Sequence, residues 1–222
     1  MKTLILAITV FCVLQGCSQG STSEDKVLTN AALELMGRGP VDDLLTPQQL
    51  NAWANGAPAL LVGREKLENS SPFVQMSSRR GFNTFVTGSG VAVVYKSGLL
   101  VATKGFGGDL FATDIEETGE YLASRKWGHV TRRYDVLGPN ESVSQTVFEC
   151  QIENRGGRVV DYGVGGVATI LMAETCSDGI VSFENLYWIE AGQVAPVQSR
   201  QWAGPANGYL INKPLAANEM AN

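Results

Sequence analysis

From Ala59 onward, apolar and polar residues alternate with a period of two, the mark of strands with one buried and one solvated face. Phe73, Gln75 and Ser77 alternate against Val74 and Met76, and Phe82, Thr84 and Val86 against Asn83, Phe85 and Thr87. Residues 91–96 and 99–103 are two apolar or β-branched runs joined through Ser97-Gly98, which predicts a hairpin. Further strands are predicted over 130–136, 143–152, 158–162, 167–175, 180–189 and 193–202. Turn signals separate them at Gly138-Pro139-Asn140, Asn154-Arg155-Gly156-Gly157, Gly165-Gly166, Asp178-Gly179 and Ala191-Gly192. Short strands with close-set turns predict an all-β domain, mainly an antiparallel meander that curls into a barrel or sandwich.

Upstream the period is helical. Ser21 and Glu24 have capping-box spacing, and Val27, Leu28, Ala31, Ala32 and Leu35 share one helical face that Gly37 and Gly39-Pro40 end. Thr46-Pro47-Gln48-Gln49 supplies a cap, a Pro at the first helical position and a Gln three after the cap, predicting a short helix to about Asn55. One or two short N-terminal helices therefore precede the strands. Residues 109–126 concentrate Asp114, Glu116, Glu117 and Glu120 and read as a loop or a short helix. A calcium loop there lacks the Gly and ligand spacing of an EF-hand.

The first 17 residues change the picture. After Lys2 comes an unbroken apolar run over 4–14, too short for a spanning helix of about 20 residues, closing on Leu14-Gln15-Gly16-Cys17. This reads as a secretory signal over 1–16 ending in a bacterial lipobox, with Cys17 as the lipidated (palmitate-bearing) first residue. Residues 17–23 then form the lipidated start and a flexible tether, and 24–222 a single periplasmic domain. Each buried lipid methylene contributes about 0.8 kcal/mol, so the chain is expected to be anchored without spanning. Ser18, rather than Asp, follows the Cys, which points to the outer membrane, facing the periplasm.

Composition narrows the function. Net charge is −5 with no basic run, so there is no electrostatic footprint for nucleic acid. Of four Cys, Cys12 leaves with the signal and Cys17 carries lipid, and Cys150 and Cys176 are expected to pair in an oxidising compartment. Two free buried thiols are the alternative; metal binding ranks below both, because His129 is the sole His and far off in sequence.

Catalytic motifs are absent. Ser89 in Thr87-Gly88-Ser89-Gly90 lacks the nucleophile-elbow pattern and reads as a tight turn, and His129 as a strand residue. Gly105-Phe106-Gly107-Gly108 resembles a phosphate loop only superficially and reads as a turn or bulge. A glycosidase needs only two carboxylates, which leaves Asp109, Asp135, Asp161, Glu174 and Glu184 open. Trp53, Trp127, Tyr187, Trp188 and Trp202, the last beside Arg200 and Gln201, could stack on sugar or protein, although burial suits most such rings better.

Two segments carry a family resemblance. The run from Ser97 through Gly105-Phe106-Gly107-Gly108-Asp109 to Leu110 resembles the central hairpin and glycine turn of the YjbF/GfcB lipoproteins, associated with group 4 capsule and exopolysaccharide operons. Phe183-Glu184-Asn185-Leu186-Tyr187-Trp188, followed by Ser199-Arg200-Gln201-Trp202-Ala203-Gly204-Pro205 and Gly208-Tyr209-Leu210, is similar to that family's C-terminal signature. The resemblance implies a non-catalytic outer-membrane lipoprotein, without a cofactor, that assists production or export of an extracellular polysaccharide. Its implied partners are an outer-membrane export barrel and a small periplasmic protein of the same operon, with the polysaccharide itself as a further contact. Trp188, Arg200 and Trp202 are the candidate partner or glycan contacts. A carbohydrate-binding module and, behind it, a glycoside hydrolase or lyase are the rival expectations.

Overall fold

The computed structural model describes residues 45–65, 70–138, 140, 142–161 and 165–215, all within one compact unit. The expected signal, lipidated Cys17, tether and first helix lie outside the described residues.

Helix α1, Pro47–Ala54, begins where the sequence places it. The Thr46 hydroxyl accepts from the Gln49 amide while the Gln49 side chain accepts from the Thr46 amide, a complete capping box. Gln49 also donates to the carbonyls of Val86 and Thr87, fixing the helix to the sheet. Beneath it Leu45, Ala59, Val74 and Leu215 form a small second core, with Trp53 packed against them.

Twelve antiparallel strands follow: β1 (Ala59–Arg64), β2 (Ser70–Arg79), β3 (Phe82–Val86), β4 (Ala92–Lys96), β5 (Leu99–Lys104), β6 (Leu110–Thr113), β7 (Gly128–Leu137), β8 (Val143–Asp161), β9 (Gly166–Ser177), β10 (Ser182–Glu190), β11 (Gln198–Trp202) and β12 (Tyr209–Pro214). They form one sheet in the order β5-β4-β3-β2-β1-β12-β11-β10-β9-β8-β7-β6, curled into a nearly closed barrel. Helix α2, Glu116–Ser124, links β6 to β7. Two meanders, β1–β5 and β6–β12, are thus joined by the pairing of β1 with β12, from Leu60 opposite Pro214 to Arg64 opposite Leu210.

The remaining seam lies between β5 and β6, which are consecutive in the chain. Asp109, in the glycine turn joining them, accepts from the Thr103 hydroxyl and from the amides of Gly105 and Phe106, and the Leu110 amide donates to Thr103 Oγ1. Side chains close this seam where the strand ladder stops.

The Ser97-Gly98 hairpin forms as expected, with φ of 52° and 78° at its two central residues. A Cβ on Gly98 would lie 2.5 Å from the Pro196 ring, so the turn needs Gly for both conformation and space. Other expectations change. Residues 109–126 hold the short helix that was one of the two forms expected there, α2, preceded by an unexpected strand, β6; β12 is also an unexpected strand. The Asn154–Gly157 turn signal is instead a bulge within the single strand β8: the register steps from Asn154 opposite Met172 to Gly157 opposite Ile170, and Asn154 Oδ1 accepts the Gly156 amide. Pairing with β9 both before and after the bulge keeps the strand continuous where local turn chemistry alone argued for a break.

Candidate functional site

The barrel interior is layered. In β7, Val130, Arg132 and Tyr134 are buried while their neighbours Thr131 and Arg133 are exposed, so the strand's alternation carries a charge inward. In β9 the same alternation buries Glu174 and Cys176, and in β10 it buries Phe183, Asn185 and Tyr187.

Arg132 and Glu174 form a fully enclosed ion pair, with Nη1 at 2.9 Å from Oε2 and 3.0 Å from Oε1. Glu174 also accepts from the Thr118 hydroxyl at 2.7 Å, from Asn185 Nδ2 at 2.8 Å and from the Tyr187 hydroxyl at 2.8 Å. Thr118 comes from α2, so the helix is tied into the barrel by this carboxylate. Burial alone would raise the Glu174 pKa; Arg132 and the three donors outweigh it and hold the carboxyl below its ordinary value. Burial, with the adjacent Glu174 charge, pushes the Tyr187 hydroxyl well above its ordinary value. A carboxylate held ionised and saturated with donors is poorly suited to general acid chemistry.

Beside this layer, Tyr134, Phe148, Phe183 and Trp202 make a ring cluster. Trp202 stacks on Phe183 at 4.4 Å between centroids and 11° between planes, and meets Tyr134 and Phe148 edge-on at 5.1 and 5.6 Å. The Trp202 amide donates to Asn185 Oδ1 at 2.7 Å, linking the two layers. Cys150 and Cys176 face each other across β8 and β9 and are bonded as a disulfide, with Cα atoms 4.0 Å apart. Among the described residues the one trio with metal-ligand side chains close together is Cys150, Glu174 and Cys176; its sulfurs are bonded to each other and its carboxylate to Arg132, which leaves no free ligand set.

The candidate contacts Trp188, Arg200 and Trp202 are not brought together as one exposed row. Trp202 is 8% exposed and belongs to the interior. Arg200 spends its guanidinium locally: Nε and Nη2 each lie 2.8 Å from a Glu65 oxygen, Nη1 donates to the Glu184 carbonyl, and the group lies 3.4 Å over the Tyr209 ring. Trp188 is half-buried on β10 opposite Leu171. Gln201, between Arg200 and Trp202, accepts from the Leu100 amide and donates to the Gly98 carbonyl, holding β11 to the β4–β5 hairpin.

The open carboxylates are separated in the same way. Asp109 closes the seam, Asp135 pairs with Gln145 and Arg133, Glu184 pairs with Arg155, and Asp161 lies exposed at the end of β8. Ser89 lies in a tight turn bonded to Thr87, and His129 is exposed on β7. Sequence reasoning missed Arg132; its signal was an Arg in the inward register between Val130 and Tyr134.

Residues 30–212 match the family described as Group 4 capsule polysaccharide lipoprotein gfcB, YjbF. The chain belongs to this family. The hairpin, the glycine turn and the whole C-terminal signature that resemble YjbF/GfcB proteins fall within the matched range. The crystal structure of the hypothetical lipoprotein YmcC from Escherichia coli K12 is similar in fold, with a TM-score of 0.64 at 13% identity, covering 89% of this chain and 98% of that one. No curated protein matches. In the YjbF frame, Asp109 and Gln201 are fold-closing residues and Trp202 is a core ring. Among the described residues no helix is long and apolar enough to cross a membrane.

Proposed function

We propose that this YjbF-family protein is a non-catalytic accessory in the production or export of an extracellular polysaccharide. In this reading Cys17 carries the lipid, the domain faces the periplasm from the outer membrane, and its outer surface docks on an outer-membrane export barrel. The observation that carries it is the filled interior of a capsule-family barrel. Ring cluster, ion pair and disulfide occupy the inside, so contact with other molecules is left to the outside. The hydrolase alternative loses support because the only fully buried candidate carboxylate, Glu174, is committed to Arg132. A binding module built on Trp53, Trp188 and Trp202 loses support because Trp202 is interior and Trp53 packs on the second core.

The test is recovery of the full-length lipidated protein from its native membrane in mild detergent, with mass spectrometry of what accompanies it. Enrichment of an outer-membrane barrel protein from the same operon is expected. Recovery of the protein alone, together with unchanged polysaccharide export in a clean deletion strain, would overturn the proposal.

A further inference from the structure

The outer face of β2, β3 and β4 carries a row of three side chains. Register sets Arg79 opposite Phe82 and Phe82 opposite Lys96, so the ring stands between two cations on one face. Phe82 is 39% exposed, and Lys96 Nζ lies 5.2 Å from its centroid. Arg80, next in the turn, has φ of 53° and is exposed, as is Arg79. Neither arginine has an ion pair or side-chain hydrogen bond among the described residues. Among the described residues Lys96 pairs only with Glu116 on α2, at 3.9 Å, and that carboxylate is itself 81% exposed. In a chain of net charge −5, three cations around one solvent-facing ring are a local departure from the whole.

An exposed ring offers a flat apolar platform, and a free guanidinium offers two parallel N–H donors spaced for a carboxylate. Side by side, the two match a sugar ring that bears a carboxylate: the C–H face of the pyranose lies on the ring, and the carboxylate lies in the guanidinium fork. We propose that Arg79, Phe82 and Lys96, with Arg80 at the rim, form a binding site for a uronate unit of an anionic polysaccharide. This rests on the polysaccharide reading above and names the glycan chemistry it would meet.

The test is calorimetric titration of the full-length protein in detergent with tetramers of galacturonate, glucuronate and mannuronate, and with a neutral hexose tetramer. At least one uronate tetramer should bind, more weakly as salt rises, with the neutral tetramer about tenfold weaker or undetected. Phe82→Ala and Arg79→Gln should each weaken uronate binding about tenfold while leaving the thermal unfolding midpoint unchanged. Absence of uronate binding, equal binding of the neutral tetramer, or variants that bind like the parent would overturn the site. So would phosphatidylglycerol vesicles that displace the uronate, which would assign the row to a lipid surface. Loss of uronate binding with the export barrel still recovered from membranes would remove this site alone; the reverse pattern would remove the docking reading and keep the site.

Discussion

Glu174 gathers four polar partners in the barrel interior, with Arg132, Thr118, Asn185 and Tyr187 all bonded to its carboxylate. Removing one partner of such a pair leaves a buried charge uncompensated, so Arg132→Met should cost about 3–5 kcal/mol in urea unfolding, and the double change to Met at 132 and 174 should recover much of it. The pH dependence has a definite sign. The folded pKa of Glu174 lies below the unfolded value, so its contribution is fully present above about pH 4.5 and is lost as pH falls through the folded pKa. Glu174→Gln should flatten the acid limb of a stability-against-pH profile. Trp202→Ala, which removes a ring packed against three others, should cost about 3–5 kcal/mol and diminish the near-ultraviolet circular dichroism. The core role of Trp202 was legible from its type. The ion pair was not, because its partners are 42 residues apart and only strand pairing brings them together.

At the scale of elements, the sequence showed α1, with its capping box, and most of the strands, because period and turn residues are local signals. It divided β8 in two because Asn154-Arg155-Gly156-Gly157 has the chemistry of a turn, and it missed the short β6 and β12, whose neighbours are set by tertiary pairing. The seam between β5 and β6 rests on side chains, and Asp109→Ala should therefore cost about 1.5–3 kcal/mol and speed hydrogen exchange at the Gly105 and Phe106 amides. The Cys150–Cys176 bond closes a separation of 26 residues, so changing both residues to Ala should lower stability by about 3–4 kcal/mol in urea unfolding.

For the whole molecule, the all-β class and a meander that curls up were legible from alternation and turn spacing, but which strands meet to close the barrel was not. Nothing in residues 59–64 or 209–214 marks them as partners, since their pairing is fixed by the path of every strand between. The pairing also constrains synthesis. A chain that emerges N-terminus first presents the free edge of β1 long before Tyr209–Pro214 has left the ribosome. Until then β1 and β11 each offer a bare ladder of amides and carbonyls to any neighbouring chain. The nascent protein is therefore expected to depend on a holding chaperone until its last strand is released, and truncation before residue 209 should yield aggregates rather than a smaller barrel.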